Sequence, residues 1–136
     1  MTIVLNTVDQ VPGAGIIRGP QLAFKVGQIT ARDIVRARVA IEVERYNRAP
    51  EAEIPRYFGL VAPPAAELEL NGPNQDLRPR RTLDADAQIE VALDAVRRGR
   101  VVLLFNGVQV SDLDEQLPVT PVSEARFLRL VPLVGG

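Results

Sequence analysis

Residues 100–136 read RVVLLFNGVQVSDLDEQLPVTPVSEARFLRLVPLVGG, and the order of signals in this stretch decides the fold. The run Val101-Val102-Leu103-Leu104-Phe105 is a strand signal, Asn106-Gly107 is the strongest two-residue hairpin signal, and Val108-Gln109-Val110 resumes extended. A short acidic stretch carrying Leu113 and Leu117 follows, and Pro118 and Pro121 break the chain. Phe127-Leu128-Arg129-Leu130-Val131 then reads as a last strand, followed by Pro132, Leu133 and Val134 and a bare Gly135-Gly136. Strict alternation groups Leu128 with Leu130 and sets Phe127, Arg129 and Val131 on the other face. The two leucines are expected in the core.

A diglycine has no side chain to pack and loses much entropy when ordered, so it adds nothing to a core. It offers instead a narrow carboxylate that threads where any Cβ would collide. Strand, tight turn, short strand, acidic leucine-bearing crossover, last strand and Gly-Gly together resemble the second half of a ubiquitin-type domain. The apolar, proline-bearing tail is similar to the sulfur carriers of thiamin and molybdopterin synthesis rather than to ubiquitin's arginine-rich end.

The resemblance implies an α+β, ubiquitin-like β-grasp fold with a mixed sheet, two helices and a proline-rich insertion. It also implies a ubiquitin-like modifier or sulfur carrier. An adenylating, ubiquitin-activating-like enzyme would activate the Gly136 carboxylate, with Gly135 giving clearance and Pro132, Leu133 and Val134 lying extended in its channel. The other partners implied are a conjugating enzyme, a deconjugating protease or a sulfur donor. Partner recognition is expected on the sheet face away from the helices, through Phe127 and Val131 with Leu104 or Val102. The alternative is a non-catalytic β-grasp interaction module whose Gly-Gly is an incidental frayed end.

Composition agrees with one domain, residues 1–136, because 136 residues that are 46% hydrophobic suffice for a single core. A net charge of −1 argues against a broad nucleic-acid footprint. There is no apolar run of membrane-spanning length and no basic n-region after Met1, so neither a membrane nor export is expected and a cytoplasmic location is. With no Cys and no His, the chain lacks a thiol nucleophile, an imidazole base and the usual soft metal ligands. It is therefore expected to be a substrate of other enzymes rather than an enzyme, with no cofactor and no metal. Lys25 is the only lysine, which disfavours branching chains.

Upstream, residues 2–11 and 21–29 read as two strands joined by a long loop containing Gly13, Gly15 and Gly19. A phosphate-loop reading of those glycines fails, since Pro20 and a strand-like run follow where a helix would have to begin. Thr30 and Asp33 mark a helix start, and Ile34, Val35, Val39, Val43 and Tyr46 recur at helical spacing. Arg32, Arg36, Glu42, Glu44 and Arg45 are assigned to its solvated side.

A second helix is bounded by Asp84 and Asp86 at one end and Arg97-Arg98-Gly99 at the other, with a stripe of Ile89, Ala92, Leu93 and Val96. Whether it packs beside the first helix or replaces it against the sheet is open. Between the helices, about residues 48–83, lies the insertion. Its Tyr57, Phe58 and Leu60 are expected to pad the core, Glu67 to Leu70 is a possible short strand, and Arg78, Arg80 and Arg81 are expected to be solvated. Residues 132–136 are expected to form a flexible tail.

Overall fold

The computed structural model describes residues 2–48, 59–61 and 82–130. In chain order the elements are β1 (Ile3–Val11), β2 (Gly15–Arg18), β3 (Leu22–Phe24), β4 (Gln28–Thr30), α1 (Ala31–Arg48), α2 (Ala85–Arg97), β5 (Val101–Phe105), β6 (Val108–Val110), β7 (Gln116–Pro118) and β8 (Glu124–Arg129). The fold class is α+β. Six strands form a mixed sheet in the order β2-β1-β8-β5-β6, with β3 also on β1, and β4 pairs with β7 in a small second sheet. The first and last strands lie side by side and parallel, and the other pairs are antiparallel.

Local chemistry explains the joints. Asn106 and Gly107 both have positive φ, 50° and 84°, which is the geometry whose twist matches a two-residue hairpin. The opening hairpin turns tightly at residues 12–14, so the expected long loop is shorter than the sequence suggested and residues 15–18 pair with β1. Gly19 has a different reason to be glycine: a Cβ there would meet Thr7 Oγ1 at 2.4 Å, where the chain crosses β1 and the Gly19 N–H donates to the Thr7 carbonyl.

Both helices are capped as their sequences require. The Thr30 N–H donates to Asp33 Oδ2 at 3.0 Å and the Asp33 N–H to Thr30 Oγ1 at 3.1 Å, a reciprocal box closed by aspartate in place of glutamate. At α2 the Asp84 carboxylate accepts from the Ala87 N–H, and beyond its end Gly99 (φ 73°) and Arg100 donate back to the carbonyls of Val96 and Ala95. This paired bonding satisfies two otherwise orphaned carbonyls.

One core joins the helices to one face of the sheet. Ile3, Leu5, Leu103, Phe105, Ala125 and Phe127 from the strands are buried with Ile34, Val35, Val39, Val43 and Tyr46 of α1 and Ala92 and Leu93 of α2. The open question of the two helices is answered here: α2 packs beside α1 and against β5, while α1 reaches β3 and β4 and carries Arg38 across to β1 and β8.

The phase of the last strand is the reverse of the expectation. Phe127 is 1% exposed whereas Leu130 is 50% exposed, and Leu128 is half-buried on the other face. Alternation fixes which residues share a face but not which face meets the helices; here Phe127 lies beneath α1, its ring centre 4.7 Å from the Arg38 guanidinium.

The insertion leaves and returns at one place. Asn47 accepts from the Leu83 N–H at 2.7 Å and donates to the Leu83 carbonyl at 3.1 Å, joining its two ends. Leu60 is buried, as expected of core padding, and so is Val61. Tyr57, Phe58, the possible strand at 67–70, and Arg78, Arg80 and Arg81 lie outside the described residues.

Candidate functional site

Residues paired across neighbouring strands share a face, so register identifies the surface away from the helices. Leu128 lies opposite Val102 and Gln10, and Gln10 lies opposite Ile16; Arg126 lies opposite Leu104 and Val8. The open face therefore carries Val102, Leu104 and Leu128 together with Ile16, Val8 and Arg126. Phe127 lies opposite Leu103 on the buried face, so it is removed from the expected recognition patch and Leu128 stands in its place. Val102 and Leu104 are half-buried and remain on the surface assigned to them. Val131, Pro132, Leu133, Val134, Gly135 and Gly136 lie outside the described residues.

At one end of this face a cavity of about 440 Å³ is lined by Gln10, Val11, Pro12, Gly13 and Gly15 of the first hairpin and by Leu128, Arg129 and Leu130. Leu130 is anchored at its N–H, which donates to the Arg100 carbonyl at 3.0 Å.

A second constellation lies on the other side of the sheet. Arg38 of α1 is 1% exposed and is held by both carboxylate oxygens of Asp9 on β1, which is equally buried. Its Nε donates to Glu42 Oε1 at 3.1 Å, and its guanidinium lies 4.7 Å from the centre of the Phe127 ring. Planar bidentate pairing and stacking on an aromatic face are what distinguish arginine from lysine in such a place.

Burial by itself lowers the Arg38 pKa, but the Asp9 hydrogen bond and the charges of Glu42 and Asp9 outweigh it and hold the guanidinium above its ordinary value. Burial raises the Glu42 pKa above its usual range, with Asp9's charge adding to this and Arg38 and the Leu60 N–H working against it. A cleft of about 670 Å³ beside this network is lined by residues that include Asp9, Ile17, Gly19, Arg38, Glu42, Arg45 and Gly59.

No family model, no curated protein and no solved structure matches the chain. What each region does must be argued from its own chemistry. The buried charges are committed to one another, which makes the network a structural tie between β1, α1 and β8. Among the described residues no group of three potential metal ligands occurs, and no helix is long and apolar enough to cross a membrane.

Sequence reasoning missed the Asp9–Arg38–Glu42 network, although a signal was present. Arg38 and Glu42 fall at three- and four-residue steps from Ile34, Val35, Val39 and Tyr46, on the apolar stripe itself, and Asp9 continues the inward alternation of Ile3, Leu5 and Thr7. Charged residues at those positions on facing elements predict one another as partners.

Proposed function

We propose that this chain is a β-grasp protein acting as a ubiquitin-like modifier or sulfur carrier. The observation that supports this reading best is the sheet order β2-β1-β8-β5-β6: a β-grasp places its first and last strands parallel at the centre, with helix crossing between the first hairpin and the rest. β8 is paired with β1 over Glu124–Leu128 and with β5 over Ala125–Arg129, so the strand that precedes residues 131–136 in the chain is a central one. A reactive terminus benefits from such a base, because a fixed departure point limits the entropy lost when the tail enters an enzyme.

The chemistry belongs to partners. A Gly136 carboxylate oxygen attacks the α-phosphorus of ATP, pyrophosphate leaves, and the resulting acyl adenylate is attacked at its carbonyl by sulfur with release of AMP. Attack by hydrosulfide gives a thiocarboxylate, the carrier's product, and attack by a partner's cysteine thiolate gives a thioester bound for an amine, the modifier's. Gly135 supplies clearance, and Pro132 reduces the freedom lost by the tail on ordering. Val102, Leu104 and Leu128 on the open face are the docking surface for the adenylating enzyme in this reading, with Arg126 beside them.

The test is pyrophosphate exchange into ATP with the cognate adenylating enzyme. The wild-type chain should support exchange, and Gly135→Ala or deletion of Gly136 should abolish it without changing the far-ultraviolet spectrum. Intact mass of the protein from its native cells checks the free carboxylate on Gly136 that the reading requires and separates the pathways. A carrier exchanges oxygen for sulfur at its terminus, and a modifier is joined to other proteins through Gly136.

The apolar open face also favours a second reading, a non-catalytic interaction module. That reading takes over if variants lacking both glycines keep full function.

A further inference from the structure

Residues 59–61 sit where the insertion, the buried network and the end of the last strand meet. The Leu60 N–H donates to Glu42 Oε1 at 3.0 Å, and Arg129, the last residue of β8, donates from Nη1 to the Gly59 carbonyl. Leu60 and Val61 are buried in the core. Only glycine fits the position between these bonds: Gly59 has a φ of 67°, and a Cβ there would lie 1.4 Å from Glu42 Oε2. The same peptide is thus gripped from α1 through a buried carboxylate and from β8 through a guanidinium.

We propose that Gly59–Leu60–Val61 is a clasp through which the insertion fixes the end of β8 and hence the departure point of the diglycine tail. Arg129 is paired on its backbone with Val101 of β5, and the parallel register with β1 runs as far as Leu128. The contact with Gly59 adds a side-chain restraint at the last residue of the strand. Closure of the clasp also covers Glu42, so the insertion completes the packing of the buried network it holds. For the reactive terminus proposed above, the clasp acts as a positioning device.

The Leu130 N–H, bonded to the Arg100 carbonyl, reports on the clasp by hydrogen exchange, because local opening at the end of β8 must break that bond. Arg129→Gln removes the guanidinium from a half-buried site without altering the core, and Gly59→Ala forces the clasp off Glu42. In both variants Leu130 exchange should accelerate roughly tenfold, the worth of a hydrogen bond to a charged group. Leu5 and Leu103 amides, deep in the sheet, should be unchanged in Arg129→Gln.

Unchanged Leu130 exchange in Arg129→Gln overturns the proposal, as does acceleration spread equally over Leu5 and Leu103. With the adenylating enzyme, the clasp variants should raise KM for the chain and leave kcat alone. Failure of pyrophosphate exchange by the wild-type chain removes the proposed function but not the clasp, whose readout is the Leu130 amide.

Discussion

The two described helices carry ion pairs of the same spacing in different surroundings. In α1, Arg38 and Glu42 are an i,i+4 pair at 3.1 Å with side chains 1% and 12% exposed; in α2, Asp94 and Arg98 are an i,i+4 pair at 3.0 Å with side chains 48% and 61% exposed. Spacing and chemistry are nearly the same, and the energetic roles are opposite. Water screens the α2 pair and competes for its hydrogen bonds, so it is worth little. In α1 the pair is largely withdrawn from water, and each charge depends on its partners to offset the cost of leaving solvent. A helical ion pair acquires its meaning from what covers it.

The largest expected effect separates the two pairs directly. Arg38→Ala leaves Asp9 and Glu42 buried without their counter-charge and should cost about 3–5 kcal/mol. Arg98→Ala should stay within about 0.5 kcal/mol, since it removes only a screened contact. Urea unfolding of the two variants measures both. Similar midpoints would break the contrast and show that water reaches the α1 network.

Phe127 lies beneath Arg38 and tests what α1 rests on. Phe127→Ala should destabilise by about 3–5 kcal/mol through lost transfer energy and a residual cavity. Leu130→Ala, at a half-exposed position, should remain within about 1 kcal/mol. The reverse ranking in thermal unfolding would put the leucine face of β8 against the helices after all.

On the α2 side the decisive groups are at the ends. Asp84→Ala removes the acceptor for the Ala87 N–H and should cost about 1 kcal/mol, while Asp84→Asn should keep most of that stability because the amide oxygen still accepts. Equal losses for the two substitutions would indicate a charge effect rather than a cap.

The smallest expected effect is a slope. Folding raises the Glu42 pKa above its ordinary 4.5, so the folded state binds that proton more tightly than the unfolded chain does. Its contribution is present in full below the unfolded value and is lost as pH rises through the folded one. Glu42→Gln should remove this decline. Unfolding midpoints taken between about pH 4 and pH 7 should therefore show the wild-type advantage over Glu42→Gln shrinking as pH rises. An advantage that grows with pH would mean that ionised Glu42 is the better-stabilised form.

How much was legible depends on how local the cause is. Asn106-Gly107, Thr30 with Asp33, Asp84 and Gly99 act within a few residues of themselves, and each built the turn or cap its neighbours called for. The stripe of α1 is legible at Ile34, Val35, Val39, Val43 and Tyr46, yet Glu42 on that same stripe is assigned to solvent and Arg38 is passed over. For the candidate site, Leu104 or Val102 is expected from the neighbouring strand and both lie on the open face, whereas Phe127 is expected there wrongly because alternation carries no phase.

The sequence by itself determined α1, α2, β1, β5, β6 and the existence of β8, their caps and turns and the pairing of residues into faces, because these follow from steric and hydrogen-bonding rules over short spans, whereas β2 and β7 lie where a loop and a turn are expected. Only the tertiary structure decided three other things: that Phe127 faces α1, that Asp9, Arg38 and Glu42 form one buried network, and that Gly59 sits between Glu42 and Arg129. Each depends on groups 18 to 89 residues apart whose contact exists only once the sheet has aligned β1 beside β8 under α1. Burial then fixes their energies, because the strength of a charge or a hydrogen bond depends on how much water remains beside it.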